Sequence, residues 1–325
     1  MEQRESYLRT THDVYAEAAA SPDAQLCCTT SPVWALPGLE VPVEMLEMNY
    51  GCGTTVHLQD LHGDMTILYV GVGGGLEALQ FAWFARREGG VIAIDPVAQM
   101  RDKAGANFRI AAETNDWFAT DFVDVRDGDA LELPVADDSV DLAAQNCLFN
   151  IFTDEHRLRA LSEMHRVLRP GGRLVLSDPI TPIEMPDKLA DDEELRARCL
   201  SGAPSYERYI EDLVEAGFGT IEIRRRMPYR LLDAETYGID EDILLESIEV
   251  VAIKGPVPAD GACVFTGRVA FWLGQGSFDD GDGHVLIPEV PLAICDKTAA
   301  AFEALDNPLL RVTGSTWHYA GGGCC

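Results

Sequence analysis

The chain has 325 residues, 47% of them hydrophobic, with 25 Lys and Arg against 54 Asp and Glu and a formal charge of -29. This length suits one large domain plus a smaller one, and so acidic a surface repels phosphate backbones and anionic lipid heads, which excludes nucleic acid and membrane as partners. Small or neutral ligands fit better. No apolar stretch approaches the roughly 18 residues of a spanning helix, and no charged-then-apolar leader opens the chain, so a cytoplasmic protein is expected, taken as a monomer. Nine cysteines are many for a compartment that keeps thiols reduced. None forms a Cys-x-x-Cys pair, so they serve packing, or chemistry at a site gathered from distant segments.

Residues 1–64 read as an N-terminal arm with a loop, Asn49-Tyr50-Gly51-Cys52-Gly53, and a polar stretch through Asp64. From Thr66 to Val70 an apolar run predicts a strand. Gly71, Gly73, Gly74 and Gly75 then predict a turn, and a helix follows to about Arg87. A second strand, 90–94, ends at Asp95 and Pro96. A third, 122–125, leads into Asp127-Gly128-Asp129, and a fourth spans 140–144. A helix over 154–168, the turn Arg169-Pro170-Gly171-Gly172 and a strand over 173–177 complete the series. Strands alternating with helices predict an α/β fold, a doubly wound and mostly parallel sheet, over 65–219.

Beyond 219 the texture changes to strand-like runs at 220–223, 248–253 and 264–272 with no regular helices between them. A smaller β-rich or mixed C-terminal domain, 220–325, is expected, ending in a flexible Gly-Gly-Gly-Cys324-Cys325 tail. The segment Asp279 to His284 lacks the terminal Glu of a calcium loop and reads as a solvated turn.

Gly71, Gly73 and Gly75 follow a strand and open a helix, where backbone can approach a ligand closely and N–H groups are exposed. The spacing suits either a dinucleotide or S-adenosylmethionine. Asp95, at the end of the next strand, can accept bonds from both ribose hydroxyls, and Asp129 with Ala130 is placed for an adenine amino group. With Asp138-Ser139-Val140-Asp141-Leu142 and Leu168-Arg169-Pro170-Gly171-Gly172, this ordered set resembles the class I S-adenosylmethionine methyltransferases. That resemblance implies S-adenosylmethionine as cofactor, with Tyr50, Pro96 and Asn146 as further contacts. The family often has an acid two positions before the first glycine, where this chain has Tyr69.

Three cysteines stand in distinctive contexts: Tyr50-Gly51-Cys52-Gly53, Asn146-Cys147-Leu148-Phe149-Asn150 and Arg198-Cys199-Leu200-Ser201-Gly202-Ala203. These segments resemble the arsenite methyltransferases, which often carry an acid where this chain has Arg198. The fold logic agrees: ligands of a doubly wound sheet bind beyond the carboxyl ends of the strands, where Cys147 falls. Three thiolates make a soft site, and trivalent arsenic takes three sulfurs in a pyramid that leaves its lone pair open. Cys52, Cys147 and Cys199 are thus the expected ligands of trivalent arsenic brought in as a thiol complex. The resemblance further implies a redox disulfide between Cys52 and either Cys27 or Cys28, reopened by glutathione or thioredoxin. Two other readings stay open: a methyltransferase for carbon or oxygen of a small organic acceptor, with incidental cysteines, and a non-catalytic metalloid-binding protein. Cys263 and Cys295 read as packing residues, and no histidine shows ligand spacing.

Overall fold

The inner strands are apolar on both faces, as a sheet covered by helices on both sides requires. The computed structural model describes residues 6–23, 26 and 34–319. Cys27, Cys28, Cys324 and Cys325 lie outside the described residues.

The sheet is built from β1 (Ile67–Val70), β2 (Val91–Asp95), β3 (Val123–Asp127), β4 (Val140–Asn146), β5 (Leu168–Ile180), β6 (Phe218–Leu232), β7 (Ile243–Lys254) and β8 (Cys263–Phe265), in the order β3-β2-β1-β4-β5-β7-β6-β8. Strands β3 to β5 run parallel, while β7 is antiparallel to both β5 and β6. The doubly wound, mostly parallel sheet read from the sequence is therefore present. The two-residue period of β1 sends Leu68 and Val70 into one core and Ile67 and Tyr69 into the other. The helices are α1 (Ser6–Ala20), α2 (Val43–Glu47), α3 (Leu76–Ala85), α4 (Ala98–Thr114), α5 (Asp154–Val167), α6 (Asp187–Ala190), α7 (Glu193–Ala197), α8 (Tyr206–Glu215), α9 (Ala234–Tyr237) and α10 (Asp296–Ala304).

Three findings differ from the sequence reading. The N-terminal arm contains a 15-residue helix, α1. The Arg169-Pro170-Gly171-Gly172 turn is a bulge inside β5, with pairing to β4 shifting from Val140↔Leu168 to Leu142↔Arg173. Finally, the boundary drawn at 219 from the change of texture runs through the sheet, because β6, β7 and β8 extend it. What stands outside the sheet is smaller: β9 (Val269–Trp272) between β12 (Leu292–Ala293) and β13 (Leu310–Val312), the hairpin β10 (Phe278–Asp279) and β11 (Val285–Leu286), and α10. The 279–284 turn closes that hairpin, and Asp280 holds the buried His284 ring at 2.6 Å. Cys263 and Cys295 are buried together with Phe265 and Tyr319. Among the described residues no helix is long and apolar enough to cross a membrane.

Helix α5 starts at Thr153, whose side chain accepts from the His156 amide, and it presses Arg157 into the core. There the guanidinium meets Asp212 of α8 at 2.7 Å, with 1% and 0% side-chain exposure. Asp212 also meets Arg208 at 2.7 Å, so loss of Arg157 leaves the buried carboxylate with one partly exposed partner. Arg157→Ala is expected to cost about 3 kcal/mol, read as a lower urea midpoint; a change under about 1 kcal/mol would mean that Arg208 alone compensates the buried carboxylate.

Candidate active site

A cavity of about 560 Å³ opens beyond the carboxyl ends of β1, β2 and β4. Every residue expected to meet the cofactor lines it: Tyr50, Gly71, Gly73, Gly75, Asp95, Pro96, Asp129, Ala130 and Asn146. The turn between β1 and α3 has φ of 82°, 51° and 90° at Gly71, Gly73 and Gly75, backbone that side chains resist. Asp95 is buried beneath the turn, and its Oδ1 accepts from the Val97 amide at 2.9 Å. Burial pushes its carboxyl up to about 6, against the pull of backbone N–H groups at Val97, Gly73 and Val72. Asp129 accepts from the Leu131 amide at 2.8 Å. A buried carboxylate, a glycine cradle and a cavity of this size fit the ribose, amino-acid part and adenine of S-adenosylmethionine.

The three cysteines converge behind that cavity. Cys147, which lines it, follows β4 with φ of 60°, and its amide donates to the Ser177 carbonyl at 2.6 Å. Leu148 donates to Gln145 Oε1 at 2.7 Å, which closes the turn. Cys199 has φ of 59° and caps α7: its amide donates to the Arg196 carbonyl and that of Leu200 to the Leu195 carbonyl, the paired bonds of a Schellman motif. Its thiol donates to the Cys147 carbonyl at 2.7 Å. Gly202 lets the two loops dock, since a Cβ there would fall 1.9 Å from the Asn150 carbonyl oxygen. Cys52 Sγ sits 3.4 Å from Ser177 Oγ, and the Cys52 amide donates to Asn146 Oδ1 at 3.2 Å. Its two glycine neighbours have a steric reason: a Cβ on Gly51 would strike Asn146 at 2.8 Å, and one on Gly53 would strike Ser177 Oγ at 2.5 Å.

The thiols are thus gathered without being preassembled. Among the described residues no three His, Cys, Asp or Glu side chains form a ready metal-ion group. Cys199 is turned to a carbonyl and Cys52 to a hydroxyl, so joint ligation requires their side chains to rotate. Cys147 and Cys199 both lie in the left-handed region, backbone that costs a side-chain-bearing residue roughly 1–2 kcal/mol.

Helix α1 was not foreseen as part of the site. Its Arg9, His12, Asp13 and Tyr15 line the cavity, while Thr10 bonds Glu193 at 2.7 Å and Tyr7 meets His156 Nδ1 at 2.5 Å. Tyr15 lies 3.9 Å from Cys199 Sγ. Arg198, the departure from the family pattern, pairs with Asp23 at 3.0 Å, and the Asp23 amide donates to Tyr50 Oη at 2.9 Å. The segment after α1, the Tyr50 loop and the Cys199 loop are therefore joined. Ser177 and Glu77 were also missed, the first hidden inside a strand and the second at an ordinary helix start.

The sheet order, glycine turn and cavity define a class I methyltransferase fold. Residues 68–176 match the family model of the methyltransferase domain. The chain is similar to proteins named arsenite methyltransferase: 32% identical over 177 residues to one from Halobacterium salinarum, covering 54% of this chain and 43% of that one. With one from Aquipseudomonas alcaligenes it is 29% identical over 255 residues, covering 77% and 71%. It thus spans less than half of the Halobacterium protein's length. A crystal structure described as an arsenic(III) S-adenosylmethionine methyltransferase from Chlamydomonas reinhardtii superposes with a TM-score of 0.59 at 22% identity, covering 88% of this chain and 99% of that one, a likeness of fold. The resemblance read from the cysteine contexts is borne out.

Asp95 yields a pH test. Its folded value of about 6 lies above the ordinary 3.8, so the ligand-free fold loses stability as pH rises between these values. Ribose hydroxyls donating to the charged carboxylate reverse that preference. Affinity for S-adenosylhomocysteine, measured by calorimetry, is expected to decline as pH falls below about 6, and Asp95→Asn to weaken binding and flatten the profile. An unchanged profile in the variant would remove Asp95 from the site.

Proposed function

We propose that the protein transfers methyl groups from S-adenosylmethionine to trivalent arsenic held by Cys147, Cys199 and Cys52. The observation that carries this reading is the linkage of the three cysteines through Ser177 and the Cys147 carbonyl at the wall of the cofactor cavity. When bound, S-adenosylmethionine supplies a methyl on a sulfonium, open to attack by an arsenic lone pair. The glycine turn, Asp95 and Asp129 hold the cofactor, and Cys147 presents the acceptor from the cavity side.

Thiolate ligation makes arsenic electron-rich and fixes the direction of its lone pair. No base is needed, because no proton leaves arsenic. Alignment is then the main contribution of the protein, worth up to roughly 7–11 kcal/mol in well-oriented cases. Methylation formally oxidises arsenic to the pentavalent state. A cysteine pair closing as a disulfide returns the two electrons, and glutathione or thioredoxin reopens it. Cys52 with Cys27 or Cys28 is the pair the family resemblance suggests. Such chemistry would serve arsenic detoxification in the cytoplasm.

Incubation with arsenite, S-adenosylmethionine and glutathione, followed by chromatography of arsenic species, is expected to yield methylated arsenic; none would refute the proposal. Cys147→Ser and Cys199→Ser are each expected to lower the rate by about a hundredfold or more, as misplacement of a reacting atom does. Full turnover in both would leave the cysteines incidental. Cys52→Ser is expected to spare monomethylated trivalent arsenic more than arsenite, since the methylated substrate needs fewer sulfurs. Equal losses on both substrates would count against that division of labour.

A further inference from the structure

Glu77 is 4% exposed and lines the cofactor cavity, although it belongs to the first turn of α3. Its Oε1 accepts from the Thr55 amide at 2.8 Å and from Thr54 Oγ1 at 3.3 Å. Its Oε2 accepts from Thr55 Oγ1 at 2.9 Å, from Tyr69 Oη at 2.9 Å and from Asn146 Nδ2 at 3.2 Å. These five donors are all neutral. Among the described residues no cationic side chain pairs with this carboxylate, whose burial at the wall of a cavity a cationic ligand would offset.

Tyr69 stands where methyltransferases of this class often carry an acid, and its hydroxyl points that position's hydrogen bond onto Glu77. The carboxylate has in effect moved from the end of β1 to the start of α3, with the tyrosine filling the space between. We propose that Glu77 is the counter-ion for the α-ammonium of the bound cofactor, replacing the acid absent at Tyr69. This rests on the cofactor reading above. Glu77 also reaches the thiol site, since Asn146, which donates to it, donates to the Gly53 carbonyl at 3.0 Å and accepts from the Cys52 amide. The amino-acid end of the cofactor and the Cys52 loop therefore share one anchor.

The test separates a counter-ion from a structural clamp. Calorimetry compares S-adenosylhomocysteine with its deaminated analogue, which lacks only the α-amino group. The unaltered chain is expected to prefer the amine, and Glu77→Gln to weaken S-adenosylhomocysteine by about ten- to a hundredfold, as for a lost charged hydrogen bond, while the deaminated analogue changes by less than about twofold. Equal weakening of both, or of neither, overturns the assignment. Because Glu77→Gln also touches the Thr54–Thr55 segment, Tyr69→Glu combined with Glu77→Gln serves as the second variant. It returns the acid to the end of β1 and is expected to restore the preference for the amine; loss of that preference in the folded double variant overturns the proposal as well. Failure of the unaltered chain to bind S-adenosylhomocysteine would instead overturn the cofactor reading, and this role with it.

Discussion

The bond from the Cys147 amide to the Ser177 carbonyl, 2.6 Å long, is the contact on which the rest of the site depends. Asn146 and Ser177 are register partners in β4 and β5, so this bond carries the pairing of the two strands one residue past the end of β4, just as the chain swings into left-handed backbone. Cys147 therefore inherits the rigidity of the buried centre of the sheet rather than the freedom of a loop. Its carbonyl, left facing away, receives the Cys199 thiol, and the Ser177 side chain meets Cys52. A single residue of β5 thus offers its carbonyl to one cysteine and its hydroxyl to another.

The cofactor cavity and the thiol cluster are two faces of the same construction. They meet at Asn146, which lines the cavity, accepts a hydrogen bond from the Cys52 amide and donates one to Glu77. Over both lies α1, held to the Cys199 side by Glu193 and, through the segment after it, by the Asp23–Arg198 pair. The departure at Arg198 and that at Tyr69 have the same form: each unfamiliar residue is matched by a partner contributed from elsewhere in the chain, Asp23 in one case and Glu77 in the other.

How far the sequence revealed this depended on whether local chemistry demanded the residue. The glycine turn, Asp95 and the Gly-Cys-Gly loop were legible because close backbone approach or a strand end leaves few alternatives at those positions. Helix α1 was not, since its buried residues, Tyr7, Thr11, Ala18 and Ala19, are mostly small or polar and form no apolar stripe; its order comes from tertiary contacts. Glu77 looked like the ordinary acid of a first helical turn, complementing the helix dipole, and nothing in its spacing shows that it faces inward. The break expected at 219 had a similar cause. Antiparallel strands added to a parallel sheet change the pattern of the sequence without leaving the sheet.

Cys199 occupies the position after α7 where helices most often place glycine, because glycine adopts left-handed backbone without penalty. Exchanging the cysteine for glycine would relax that turn while erasing a sulfur from the site. On the proposed reading, backbone comfort and arsenic ligation therefore ask for different residues at this one position.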